Sequence, residues 1–284
     1  MQIGIRAHDM ERVPIEKLIE NISAKGFKCT QLALSKAIYS VSTDTASMTP
    51  GFAMYLRNIF RQNNVDVAVL GCYLNLADPD REQLKKTKDI YKAHIRFAAL
   101  LGCGMVGTET GAVNSTYSFE PANRSDEALD IFIDNLRDIV DYAEKMGVII
   151  GIEPVANHIV YDIKRARKVL DAIDSPNLQI IFDPVNIITK DNYMKQDEMI
   201  TEAFDILREE IACIHLKDFI VDYDGNIKSV ISGDGLLNYD LLMLLIRKNK
   251  PYIHMLLEDT KPDNVLYAKE YVEDKYYNIK NHLQ

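Results

Sequence analysis

At 284 residues, with 47% hydrophobic content and a formal net charge of −9, the chain can bury a large core and carries the wrong sign of charge for holding a nucleic-acid backbone. Its densest basic cluster, Lys164, Arg165, Arg167 and Lys168, stands at helical spacing beside acids and reads as a solvated helix face. No apolar run approaches the ~18 residues of a membrane span, and M-Q-I-G-I-R enters a strand pattern without a charged and then apolar leader, so the expectation is a soluble cytoplasmic protein.

In chain order, strand-like runs fall at Gln2 to His8, Lys28 to Leu34, Val65 to Leu74, Met105 to Gly111, Val148 to Val155, Leu178 to Asn186, Ala212 to Phe219 and Tyr252 to Asp259. Amphipathic segments fill the intervals: Pro14 to Lys25, Pro50 to Gln62, Asp80 to Leu101, Asp126 to Met146, Asp162 to Ile173, Gln196 to Glu210, Tyr239 to Lys248 and Asn264 to His282. Gly26, Gly102 and Gly147 end helices, while Ser125 and Asn238 begin them. Eight alternating units in a chain of this length predict an α/β fold, a (β/α)8 TIM barrel, as a single domain over residues 1–284. An open doubly wound sheet would more naturally carry a glycine-rich turn after its first strand, and here that turn is A-H-D-M-E-R.

Loop lengths mark the working face. Helix-to-strand links such as G-F, G-C-G and G-V are short, whereas Ser35 to Thr49, Gly111 to Arg124, Ile187 to Lys195 and Ile220 to Asn238 follow strands and are long. In a barrel the long ones gather at the C-terminal face, where catalytic loops sit. Cys29, Cys72, Cys103 and Cys213 are far apart, with no C-x-x-C pair, and read as buried thiols.

Four strand tips carry groups that apolar strands should not. V-I-I-G-I-E-P-V ends on Glu153, L-Q-I-I-F-D-P on Asp183, A-C-I-H-L-K-D contains His215, and Y-I-H-M-L-L-E-D reaches Glu258. A carboxylate at the end of a buried strand is costly unless something binds it. Strand alternation turns Glu153 inward with Ile149 and Gly151, the glycine leaving room beneath the carboxylate, and the same parity turns the other three inward. Neighbouring strands about 4.8 Å apart can bring such groups to one cation at about 2.0–2.3 Å. Three carboxylates and an imidazole suit a fairly hard ion, Mn2+ first, then Mg2+ or Co2+, ahead of a structural zinc.

The runs G-T-E-T-G (Gly107 to Gly111), G-I-E-P-V-A-N-H (Gly151 to His158), F-D-P-V-N (Phe182 to Asn186), I-H-L-K-D (Ile214 to Asp218), G-D-G (Gly233 to Gly235) and L-E-D (Leu257 to Asp259) resemble the sugar phosphate isomerase/epimerase family of xylose-isomerase-like TIM barrels over almost the whole chain. The resemblance implies one divalent metal, Zn2+ included among the candidates, held by Glu153, Asp183, His215 and Glu258, with the two glutamates also serving as acid and base. Many epimerases of that family place a histidine where this chain has Asn186, and an amide can hydrogen-bond a sugar hydroxyl but cannot carry a proton at pH 7. An apurinic endonuclease branch of the family needs several more histidines for its three zinc ions; this chain has six in all, with His94 and His282 in helices away from the face. DNA repair is therefore not expected, and no nucleic-acid partner is.

The expected chemistry is isomerisation or epimerisation of a free or phosphorylated sugar by proton transfer beside a polarised carbonyl. The same groups could dehydrate a keto-inositol or sugar acid, and a non-catalytic sugar-binding barrel is a third reading. Candidate substrate-binding residues on the face are His8, Glu109, His158, Asn186 and Lys217. Three have equally plausible structural readings: His8 paired with Arg6, which shares its parity, Glu109 satisfied by Thr108 or Thr110, and Lys217 paired with Asp218 or Glu258. His254 shares the parity of Glu258 but lies deeper, as a hydrogen-bonded core histidine. Tyr73 and Tyr117 are candidates for stacking on a sugar ring, a weak signal among 15 tyrosines. The segment from Tyr267 to Tyr277 is a homodimer interface or simply the eighth barrel helix.

Overall fold

The eight apolar runs become the staves of one closed parallel barrel in the computed structural model, which describes residues 1–279. The staves are β1 (Gln2–Arg6), β2 (Cys29–Leu32), β3 (Asp66–Gly71), β4 (Met105–Glu109), β5 (Ile149–Glu153), β6 (Leu178–Phe182), β7 (Ile211–Leu216) and β10 (His254–Leu257). They pair in chain order, and β10 closes on β1 through Gln2 opposite His254 and Ile5 opposite Leu257. The strands are shorter than the apolar runs because the tips leave the ladder: Pro154 and Pro184 follow Glu153 and Asp183 and have no N–H to donate.

Around the barrel run α1 (Ile15–Ala24), α3 (Pro50–Gln62), α4 (Arg81–Leu101), α5 (Asp126–Met146), α6 (Ile163–Ile173), α7 (Gln196–Leu207), α8 (Tyr239–Asn249) and α9 (Val265–Tyr277). The predicted ends hold at several places. The Ser125 hydroxyl accepts from the Ala128 N–H at 3.0 Å, and Gly102 and Gly147 close α4 and α5 at φ of 85° and 66°, where a Cβ would be strained. The last helix ends at Tyr277, short of the expected His282, which lies outside the described residues. No helix among the described residues is long and apolar enough to cross a membrane.

Two elements were not expected. A short helix α2 (Leu34–Ala37) opens the long segment after β2, and β8 (Asp218–Val221) pairs antiparallel with β9 (Ile227–Val230) in a hairpin beside the barrel mouth. The hairpin turns at Gly225, at φ of 78°.

Alternation works as predicted. Ile150 and Ile152 pack outward against the helices, while Cys29, Val69, Met105, Ile181, Cys213 and Leu256 form a separate cluster inside the barrel. The space expected beneath Glu153 is filled rather than open, since a Cβ on Gly151 would lie 2.8 Å from Met105 Sδ and 2.9 Å from Ile181 Cγ1. This packed floor places the useful volume above it, at the C-terminal ends of the strands. All four cysteines are buried and free, as expected.

Candidate metal centre

Four consecutive staves, β5, β6, β7 and β10, each contribute one polar group to the top of the barrel. Glu153 ends β5, Asp183 follows β6, His215 lies near the end of β7 and Glu258 follows β10, with relative exposures of 2%, 1%, 0% and 5%. One ligand atom from each lies within 4.8 Å of all the others. His215 Nδ1 sits 3.0 Å from Glu153 Oε1 and 3.1 Å from Glu258 Oε1, while its Nε2 is buried without a hydrogen-bond partner. Packing three carboxylates so closely is unfavourable without positive charge, and an oxygen-rich set with one imidazole matches the preferences of a divalent cation.

Part of that positive charge comes from the chain itself. Lys217 Nζ lies 2.8 Å from Asp183 Oδ2 and 2.9 Å from Glu258 Oε2, so the expected pairing with Glu258 is present, but Asp183 takes the place of Asp218. Asp218 instead accepts the backbone N–H groups of Phe219 and Leu237 at 2.8 Å each and of Gly233 at 3.2 Å. The sequence offered Arg6 only as a structural partner for His8. From the end of β1 it reaches Glu258 Oε1 at 3.4 Å, Asp9 at 2.9 Å and Asp259 at 3.0 Å. Its signal was available: a charged residue of inward reach at the tip of the strand that pairs with β10.

Backbone and amide donors hold Asp183 Oδ1 and Glu153 Oε1. Asp183 Oδ1 accepts from the N–H groups of Val185 (2.8 Å) and Asn186 (3.2 Å). The Asn186 side chain donates to Glu153 Oε1 at 2.7 Å, so its amide orients a glutamate rather than standing free for a sugar hydroxyl. The titration behaviour follows from this crowding. Burial pushes the His215 imidazolium down, but Glu153 and Glu258 outweigh it and raise the group to about 9. Burial raises Asp183 despite Lys217 beside it. For Glu258, burial pushes upward yet His215, Lys217 and Arg6 hold the carboxyl well below the usual range.

The predicted substrate-binding residues divide. Glu109 pairs in register with Glu153 across β4 and β5, and its Oε2 lies 3.5 Å from the Tyr117 hydroxyl and 3.7 Å from His158 Nδ1. Neither threonine satisfies it: Thr108 hydrogen-bonds Tyr91, and Thr110 accepts the Val160 N–H. Burial, then Glu153 and Glu258, raises the Glu109 carboxyl to about 7, whereas burial lowers His158 to about 4. Tyr117, held at φ of 57°, places its ring edge-on to His158 at 5.0 Å, which uses it as a wall rather than as a free stacking surface. His8 sits in a turn after β1 with Nδ1 buried and unpartnered, lowered to about 4 by burial and then by Arg6 and Lys36. His254 departs from expectation. It is half-buried at the opposite end of the barrel beside Asp66, Gln179 and Tyr252, with no hydrogen bond among the described residues, because its strand begins there. His94 lies in α4, its Nδ1 donating to the Ile90 carbonyl at 2.9 Å.

Comparison with known proteins follows the same lines. A family model described as xylose isomerase-like TIM barrel matches residues 19–274. The 3-oxo-isoapionate decarboxylase of Pectobacterium atrosepticum is 31% identical over 145 residues, covering 48% of this chain and 47% of that protein, so the match spans about half the length of this curated relative. A solved structure described as a D-tagatose 3-epimerase-like protein superposes with a TM-score of 0.78 at 19% identity over 100% of both chains. Another, of the IOLI protein with a zinc atom bound, gives 0.76 at 16% identity over 98% of this chain and 100% of that one. At such identities the likeness to the solved structures is one of fold.

Proposed function

The chain belongs to the xylose isomerase-like TIM-barrel family, and from that premise we propose that it is a divalent-metal-dependent isomerase or epimerase of a small carbohydrate, working as one soluble cytoplasmic domain. The observation that carries the reading is the convergence of Glu153, Asp183, His215 and Glu258 within 4.8 Å. A divalent cation held there, Mn2+ before Mg2+, Co2+ or Zn2+, would polarise a substrate carbonyl and lower the cost of negative charge on it.

The chain's own groups do the proton work. Glu153 is steadied by Asn186 and Glu258 by Lys217 and Arg6, so the two carboxylates approach from the two ends of the four-strand arc. One takes the proton from the carbon beside the carbonyl, giving an enediolate and ending protonated, and the other, entering the step protonated, delivers a proton of its own. Return to the same carbon from the opposite side gives an epimer; return to the neighbouring carbon gives an isomer. Glu109, His158 and His8 line the same mouth as partners for sugar hydroxyls, and Lys217 and Asn186 hold the carboxylates toward the substrate. The negative charge of the chain makes nucleic acid an unsuitable partner.

The test is deuterium exchange. The Mn2+-loaded protein, incubated in D2O with a panel of ketoses and aldoses, should introduce deuterium beside the carbonyl, and Glu153→Gln should abolish it; a panel without exchange would contradict the reading. One observation favours a second reading, dehydration. Glu109, raised to about 7, can keep a proton near neutrality and deliver it to a departing hydroxyl. A keto-inositol or sugar acid giving an enone absorbance would favour it.

A further inference from the structure

Buried phenols in this barrel are satisfied. Tyr91 donates to the Leu74 carbonyl at 2.8 Å and meets Thr108, while Tyr239 meets the Lys217 carbonyl at 3.0 Å and Ser232 at 2.7 Å. Tyr73 differs. Its hydroxyl receives the Gln31 Nε2–H at 2.7 Å, and among the described residues its own hydrogen has no acceptor. Gln31 is 2% exposed, and its Oε1 is buried without a partner. Gln31 is buried but Tyr73 is half-buried, so the phenol hydrogen, without an acceptor among the described residues, is left for whatever occupies the barrel mouth.

The backbone makes room for this pair. The Tyr73 ring lies across Gly71, where a Cβ would meet Cε2 at 2.9 Å, and its hydroxyl lies 3.6 Å from where a Gly107 Cβ would sit. That Cβ would point into the barrel, since its other neighbours are Val69 Cγ1 at 2.6 Å and Ile181 Cδ1 at 2.8 Å, both from the inner cluster. The pairing of β2 with β3 shifts register between Thr30 and Gln31, a bulge of the kind that re-aims a side chain near a site.

In the barrel order, β2 and β3 lie across from β6 and β7, so Gln31 and Tyr73 occupy the wall facing Asp183 and His215. We propose that Tyr73, positioned by Gln31, donates a hydrogen bond to a substrate hydroxyl oxygen that faces away from the four-ligand centre. The assignment rests on the proposed proton-transfer function and adds its facing wall. It replaces the stacking role with an edge-on polar one, and implies a substrate oxygenated on both sides of the reacting carbon. Burial, then Glu153, Glu258 and Glu109, raises the phenol well above its ordinary value, so Tyr73 stays a donor. The neighbouring Gln31 amide, in donating to the phenol oxygen, strengthens its O–H as a donor.

The probe is a sugar-acid hydroxamate, whose two adjacent oxygens suit the cation while its chain hydroxyls are left for the facing wall, titrated by calorimetry into Mn2+-loaded protein. Tyr73→Phe should keep the native rise in melting temperature on adding Mn2+, yet bind the hydroxamate about three- to tenfold more weakly, the effect of losing a donor to a neutral hydroxyl. Gln31→Met should weaken it about three- to tenfold, and adding it to Tyr73→Phe should cost nothing more, the non-additivity expected of a positioning residue. Hydroxamate affinity within twofold of native in Tyr73→Phe overturns the assignment, and so does additive loss in the double variant. Native protein that takes up Mn2+ and ignores the hydroxamate overturns it too. Native protein that shows no Mn2+-dependent stabilisation overturns the underlying metal reading as well, which separates the two failures.

Discussion

Metal uptake by this site should be paid for in protons, and the exchange can be counted. Glu153 and Glu258 lie 3.0 and 3.1 Å from His215 Nδ1 and raise the imidazolium to about 9 against burial. A cation can bind Nδ1 only once the proton has left. At pH 7, two units below that value, only about 1% of sites would be deprotonated, and affinity would fall about a hundredfold short of its high-pH limit, roughly 2.7 kcal/mol. Binding should therefore strengthen about tenfold per pH unit from pH 6.5 toward 9 and then level off. Below pH 6 the raised Asp183 adds a second proton and steepens the dependence. Calorimetric titration with Mn2+ at pH 7, in two buffers of different protonation enthalpy, should report about one proton released per ion. Identical heats in both buffers, with an affinity flat from pH 6.5 to 9, would refute the account of His215 as a ligand held protonated by its neighbours.

Other perturbations reach different parts of the architecture. Glu109 is raised from 4.5 to about 7, so between those values the folded chain holds a proton that the unfolded chain has lost, and stability falls as pH rises through the window. Metal-free Glu109→Gln should lack that slope and gain on the native protein by about 1 kcal/mol between pH 4.5 and 8, a figure reduced for partial exposure; parallel urea curves at the two pH values check it. Gly151→Ala would press a methyl to 2.8 Å from Met105 Sδ and should cost about 1–3 kcal/mol, so an unchanged urea midpoint would argue against the packed floor. Asp218→Asn removes the charge from an acceptor of three backbone N–H groups and should cost about 1–3 kcal/mol, with faster proteolysis at residues 231–237.

The strand tips were legible because two independent rules met there. Period-two alternation fixed which way Glu153, Asp183, His215 and Glu258 point, and an acid ending an apolar strand is costly enough to demand a partner. The inner cluster of Cys29, Met105, Ile181, Cys213 and Leu256 bears out that parity one layer below. The hairpin of β8 and β9 escaped because each strand has only four residues, although Asp224-Gly225 between apolar runs was the local hint. Arg6, Lys217 and Asn186 show a different kind of limit. Their neighbours come from β10, β6 and β5, and no local pattern says which of several nearby carboxylates a long side chain will reach. Tyr73 was one aromatic among many, and its place became visible only through the glycines at 71 and 107 that leave space for its ring.

The most direct measurement is anomalous diffraction at the manganese edge from crystals grown with saturating Mn2+. A single peak in contact with Glu153, Asp183, His215 and Glu258 is the expected result. A peak elsewhere, or none while the four side chains keep their arrangement, would contradict a shared cation at the mouth of the barrel.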